Sequence, residues 1–248
     1  MKRRVYVLGG GVLLVLLVLV GVYFDQNNIA IFGLRMPKTI DLTAQDGLSL
    51  KATFYPAKGA APAAPALLLL HEAYGDRRAW HSFAQAAQDA GYAVLALDSR
   101  GHGESAGEKV FDPAMDMDVD VALTWLTARS DVDPERVGIA GASVGANLAL
   151  RAGVRYPEIK SVVLLSPGMQ LWDIGIQEAI VDYGQRPVLI VVAEEDAYPA
   201  GSCQQLDAMA QGEHRLHVYT GAAHGTAMLQ AHDDLTSMLF EWFDTTLH

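Results

Sequence analysis

Cysteine is almost missing from this chain: Cys203 is the single one in 248 residues, so no intrachain disulfide can form. No Cys/His spacing of a metal-binding kind surrounds it, and neither a metal nor an organic cofactor is expected. Basic residues are scarce as well, 18 Lys and Arg against 29 Asp and Glu, for a formal charge of −11. Three of the bases, Lys2, Arg3 and Arg4, precede an apolar run at the amino terminus, so residues 25–248 hold 15 basic and 29 acidic residues, a formal −14. That sign repels phosphate backbones and anionic lipid headgroups, which argues against nucleic acid as a partner. Internal repeats and low-complexity tracts are also lacking, and a hydrophobic fraction of 51% excludes a disordered chain. These bounds fit one domain of ordinary size plus a membrane segment.

The membrane segment is Val5 to Phe24, twenty residues without a charge. At about 1.5 Å per residue, a helix of that length spans a hydrocarbon core of about 30 Å. The run exceeds the usual signal-peptide core of about 7–15 residues, and no Ala-x-Ala site follows it. An uncleaved anchor over residues 1–24 is therefore expected, with the basic end cytoplasmic and the remainder periplasmic or extracellular. Secretion after signal cleavage is the alternative. Residues 25–37 read as a tether and 38–248 as the folded domain.

Ile40 to Tyr55 holds two alternating runs joined at Gln45-Asp46-Gly47, the pattern of a hairpin. Unbroken apolar strands then alternate with helical stretches. The strands fall at 66–71, 92–98, 136–140, 160–166, 187–193 and 215–220. The helices fall near 77–90, 113–129, 144–156, 172–181, 201–211 and 226–243. Strands of continuous Leu, Val and Ile are buried on both faces, and this alternation demands a mostly parallel sheet with right-handed crossovers. The class is α/β, a three-layer sandwich. In such sheets ligands lie beyond the carboxyl ends of the strands, so the residues just after each strand carry the chemistry.

After Val137-Gly138-Ile139-Ala140 comes Gly141-Ala142-Ser143-Val144-Gly145 and then a helical stretch. A serine on a sharp strand-to-helix turn projects its Oγ clear of the sheet, and side chains two before or two after would collide with neighbouring elements. The Val144 N–H and the helix amino terminus then face the space where an oxyanion forms. Such a serine needs a base, and the base needs an acid to orient it. His224, in Gly221-Ala222-Ala223-His224-Gly225, is the histidine that ends a late strand in a Gly-rich loop. Asp196 ends the strand before it, with Glu194, Glu195 and Asp173 as rival acids. Ser143, Asp196 and His224 follow in the chain order expected of such a site.

His71-Glu72-Ala73-Tyr74-Gly75 follows the strand through Leu70, where the second oxyanion donor belongs, and Ala73 is the candidate. Asp98-Ser99-Arg100-Gly101-His102-Gly103-Glu104-Ser105 is a tight Gly-punctuated loop, favoured as a structural turn with an Asp–Arg contact. Arg100 as an anion contact is its other reading. About twenty residues separate Ser166 from Pro187, too few for a lid domain, so an open site is expected. Met169, Leu171, Trp172 and Met228 are candidates for an acyl pocket, beside the usual reading of such residues as packing.

With these motifs placed, the chain resembles the α/β-hydrolase superfamily over roughly residues 40–246. The small domain and the Glu72 turn are similar to its dienelactone hydrolase-like branch, in which a glutamate after this strand contacts the nucleophile. That branch's best-known members use cysteine where Ser143 stands. Met228 also replaces an arginine that they use to hold a carboxylate, which argues against an anionic lactone. The resemblance implies acyl transfer by Ser143, His224 and Asp196 on a small-molecule ester or acyl substrate, with Glu72, Tyr74 and Arg100 near it. Thioesterase and acyl-peptide hydrolase or serine peptidase readings share those residues. A membrane-tethered binding module that kept the fold without activity is the reading from another class.

Overall fold

The computed structural model describes residues 36–59 and 63–247, together with the backbone of two strands nearer the amino terminus. Those strands, Val22–Asp25 and Asn28–Ile31, pair antiparallel with Val22 opposite Ile31. They belong to a unit, Met1–Met36, distinct from the body Pro37–His248. Of the expected anchor, residues 1–21 lie outside the described residues. Val22, Tyr23 and Phe24 are in the first strand rather than in a helix, as β-branched and aromatic residues favour. The second strand falls within the stretch expected as a tether. Among the described residues no helix is long and apolar enough to cross a membrane.

The body is built on eight strands: β1 (Lys38–Thr43), β2 (Ser49–Tyr55), β3 (Ala64–Leu70), β4 (Ala93–Asp98), β5 (Val132–Ala142), β6 (Ile159–Leu165), β7 (Val188–Ala193) and β8 (His214–Tyr219). Their order in the sheet is β8-β7-β6-β5-β3-β4-β2-β1. Pairings from β4 through β8 are parallel, and only the β1–β2 hairpin and its junction with β4 run antiparallel. The unbroken apolar runs have a simple cause, since successive residues of one strand feed opposite layers. Leu68 and Leu70 of β3, and Ile190 and Val192 of β7, enter one apolar cluster. Leu67 and Leu69, and Leu189 and Val191, enter the other.

Helices α1 (His81–Asp89), α2 (Met115–Thr127), α3 (Val144–Arg155), α4 (Gln177–Asp182), α5 (Ala197–Met209), α6 (Met228–Ala231) and α7 (Leu235–Thr246) cover the sheet. Those from α2 to α5 pack on the first cluster through Leu123, Leu148, Ile180 and Leu206. Helices α1 and α7 pack on the second through Phe83, Trp242 and Phe243. The result is the expected three-layer arrangement.

Three helix expectations differ from the fold in detail. Residues 172–176 are not helical: Gln170–Leu171 pairs antiparallel with Ile174–Gly175 around Trp172, and α4 starts only at Gln177. Helix α5 begins at Ala197 rather than 201, because Pro199 lies in its first turn, where a missing N–H costs no helical bond. The last helical stretch is broken at 232–234 into α6 and α7.

A layer of buried polar groups lies at the carboxyl ends of β3 and β4. Asp98, fully buried, accepts the Arg77 N–H at 2.7 Å and the Glu104 N–H at 2.8 Å, and pairs with the Arg77 guanidinium. Arg100 is bound by Asp118, with Nη2 at 2.7 Å and Nε at 3.0 Å from Oδ1, while its Nη1 meets Asp46 at 2.9 Å. Its guanidinium is thus taken up within the fold, which corrects the reading of Arg100 as a substrate contact. The turn reading fits, although the partner is Asp118 on α2 rather than the loop's own Asp98. His71 accepts the Ser99 N–H on Nε2 at 3.1 Å and donates from Nδ1 to the Glu72 carbonyl at 2.7 Å.

Arg100→Ala leaves the buried Asp118 carboxylate without its counterion, so unfolding free energy in urea should fall by about 3–5 kcal/mol. A change below about 1 kcal/mol would return Arg100 to the surface. Burial holds the His71 imidazole below its ordinary value of 6.5, so the unfolded chain binds that proton first as the pH falls. Stability should therefore be full above 6.5 and decline below it, by up to about 1.4 kcal/mol per pH unit. Urea melts between neutral pH and pH 5 measure the slope, and His71→Phe should flatten it.

Candidate active site

Ser143 joins the end of β5 to the start of α3 with φ 52° and ψ −120°, a left-handed conformation that costs a residue with a side chain about 1–3 kcal/mol. It is held there from both sides. Its N–H donates to Leu165 O at 2.8 Å, and its carbonyl accepts from the Ala146 N–H at 2.9 Å. A Cβ on Gly141 would lie 2.0 Å from Gly145 O, and one on Gly145 would lie 2.5 Å from Leu70 O and 2.6 Å from His71 O. Both positions need glycine because backbone already fills the space. The Val144 N–H is among the first-turn amides that an α-helix leaves without an intrahelical acceptor.

The histidine loop follows β8. His224 Nδ1 meets Asp196 Oδ2 at 2.7 Å, with the imidazole 41% exposed and the carboxylate 14% exposed. Among the described residues, no rival acid contacts His224. Glu194 and Glu195 face solvent, their N–H groups bonded to Tyr219 O and Gly221 O. Asp173 lines a cavity of about 630 Å³ beside Met169, Arg151 and Glu178. The loop is brought to the elbow by contacts that carry no motif. The Gly225 N–H donates to Ser166 Oγ at 3.0 Å, and a Cβ built on Gly225 would lie 3.3 Å from the Ala142 Cβ. Ser166 is itself buried with φ 51°, fixed by its N–H on Val191 O at 2.8 Å. Sequence reasoning missed Ser166; its place at a strand end before Pro167-Gly168 was the available signal.

Glu72 ties the same loop to the other side of the site. Its Oε1 accepts from Thr226 Oγ1 at 2.8 Å, while Oε2 is buried with no hydrogen-bond partner. The contact implied by resemblance was with the nucleophile; the one present is with Thr226. Ala73 is buried, and Tyr74 beside it is 82% exposed. Tyr74 meets Phe111 edge-on, and Phe111 stacks on Trp172 with ring centroids 4.1 Å apart. Trp172 has φ 48° and is 47% exposed, its carbonyl accepting from Gln170 Nε2 at 2.5 Å. Asn147 in the first turn of α3 pins this segment, donating to Gly168 O and Ile174 O, each at 2.8 Å.

Met228 does not line the site. It is fully buried in the cluster with Leu235 and Leu239, because the break after α6 turns it into the layer beneath α7. Leu171 packs against the other cluster. Among the described residues no group of His, Cys, Asp and Glu could hold a metal ion.

Residues 61–183 match the family model for serine aminopeptidase S33, a span that includes Ser143 and stops before Asp196 and His224. An uncharacterized protein of Mycobacterium tuberculosis is 28% identical over 205 residues, covering 75% of this chain and 72% of that protein. Among solved structures, an esterase of Pyrococcus furiosus superposes with TM-score 0.73 at 18% identity, covering 86% of this chain and 91% of the other. The dienelactone hydrolase of Anabaena variabilis superposes with TM-score 0.72 at 22% identity, covering 86% and 99%. Strand order and these likenesses show that the chain has the α/β-hydrolase fold.

Proposed function

We propose that the protein is a serine hydrolase that cleaves carboxylic esters through an acyl-enzyme, without cofactor. The observation that carries this is Ser143 held at φ 52° between two glycines that backbone packing makes obligatory. A strained, braced serine at the mouth of a sheet has no evident structural use, and strain of this kind persists where a side chain must be presented.

In this reading Asp196 fixes Nδ1–H of His224, which leaves Nε2 to take the proton of Ser143 Oγ as it attacks the ester carbonyl. The N–H groups of Ala73 and Val144 receive the oxyanion, each worth about 2.7–4 kcal/mol. His224 returns the proton to the leaving alkoxide, and water then releases the acid by the same steps reversed. The exposed His224 ring and the short segment between β6 and β7 support an open site, which suits short or medium acyl chains. The aromatic ledge of Tyr74, Phe111 and Trp172 would meet the apolar part of the ester.

The test uses the full chain, a fluorophosphonate label and a chain-length series of p-nitrophenyl esters. Labelling and turnover should both vanish in Ser143→Ala, and Asp196→Asn should lower turnover about 10³–10⁴-fold while leaving the unfolding midpoint nearly unchanged. Persistent labelling in the alanine variant would move the nucleophile elsewhere. Hydrolysis of aminoacyl amides in preference to every ester would replace the esterase reading with a peptidase one.

A further inference from the structure

Two buried histidines outside the catalytic set face the loop that supplies the Ala73 donor. His71 and His102 are each 1% exposed, and their rings lie 5.0 Å apart. Glu72 O receives the Nδ1–H of His71 at 2.7 Å and also the Gly75 N–H at 3.0 Å. Ala73 O lies 2.6 Å from Nε2 of His102, whose Nδ1 faces Arg100 O at 2.8 Å. In a trans peptide the carbonyl and the following N–H point in opposite directions. Holding Glu72 O therefore aims the Ala73 N–H, and holding Ala73 O aims the Tyr74 N–H, both away from the histidine layer.

That layer is itself immobilised. His102 belongs to the loop 98–105, whose Asp98 is buried on Arg77 and whose Arg100 is buried on Asp118. The Ser99 N–H is spent on His71 Nε2, and the His102 N–H on Ser99 O at 3.0 Å. An oxyanion donor gains most when it cannot reorient, because a fixed dipole costs nothing to reorganise as charge develops. The turn after β3 carries Glu72 and the exposed Tyr74, so without such a brace its peptides could rotate.

We propose that His102 is a positioning residue for the oxyanion hole: by donating from Nε2 to Ala73 O, it pins Ala73 on the carboxyl side of its N–H, the donor whose own peptide His71 holds through Glu72 O. It touches no reacting atom, and the proposal rests on the acyl-enzyme reading given above. His71 braces the preceding peptide in the same way.

Two polar replacements separate this role from simple packing. The amide of His102→Gln extends to the place of Nε2 and can still reach Ala73 O, whereas that of His102→Asn ends near Nδ1 and can reach only Arg100 O. With p-nitrophenyl esters, kcat of the Asn variant should fall about 10²-fold, in the range for loss of one oxyanion donor, with KM changed less than about threefold. The Gln variant should recover at least tenfold of that loss. Affinity for a trifluoromethyl ketone, whose hemiketal oxyanion occupies the hole, should fall in parallel with kcat/KM. Equal kcat in folded Gln and Asn variants, a loss expressed in KM alone, or an unchanged ketone affinity would each overturn the proposal. Should Asn fail to fold, Gln alone decides: kcat within tenfold of the parent together with normal ketone affinity supports the brace, and a full 10²-fold loss refutes it. Failure of the underlying reading looks different, since activity would then survive Ser143→Ala.

Discussion

The structure turns on one close approach of backbone to backbone. The first turn of α3 lies so near the end of β3 that Gly145 could not carry a Cβ without striking Leu70 O and His71 O. Because α3 starts immediately after Ser143, this contact fixes the turn, the serine and the helix amino terminus together. It also sets the distance between two segments far apart in sequence. Ala73 follows His71 by two residues, and Val144 precedes Gly145 by one, so the packing that excludes a side chain joins the two segments that carry the candidate oxyanion amides. The strain at Ser143 is then balanced by its bonds to Leu165 and Ala146 rather than relaxed.

Behind that contact, the loops after β3 and β4 are joined by charge and hydrogen bonds instead of apolar packing. Arg77–Asp98 and Arg100–Asp118 are ion pairs almost closed to water, and such pairs add little net stability compared with a well-packed apolar core. What they do offer is direction. A carboxylate that accepts two backbone N–H bonds and a guanidinium, as Asp98 does, allows one loop conformation, whereas apolar contacts tolerate several. His71 and His102 carry that direction from the second loop to the first.

How much of this was legible in the sequence follows from the same physics. Strands β3 to β7 were visible because burial on both faces demands unbroken apolar runs, and the elbow because only glycine fits on either side of it. Asp196 and His224 stood out by their strand-end positions. The sequence was silent where a contact joins distant residues without a pattern. Nothing local announces that Ser166 receives the Gly225 N–H, or that Arg100 is spoken for by Asp118 fifteen or more positions away. Trp172 was placed at the start of a helical stretch, while the bond to its carbonyl from Gln170 and its stack on Phe111 hold it in a turn. Met228 was a pocket candidate beside the usual reading of such residues as packing, and it is the packing reading that fits, since Met228 is fully buried in the second cluster.

The turn at Trp172 also bears on recognition. A bulky residue at φ 48° costs of order 1–3 kcal/mol, and burial of its side chain does not repay that, since the indole remains half exposed. Stacking on Phe111 recovers about 0.5–1.5 kcal/mol of it. Asn147 anchors the backbone on both sides of the turn, so the strained shape is imposed from α3, the helix that also carries the elbow. A segment of this length between β6 and β7 cannot enclose a substrate, and discrimination on the proposed reading then has to come from the rim. An indole, a phenyl ring and the phenol of Tyr74, in contact from ring to ring and rooted in the oxyanion loop at one end, form the apolar surface available for it.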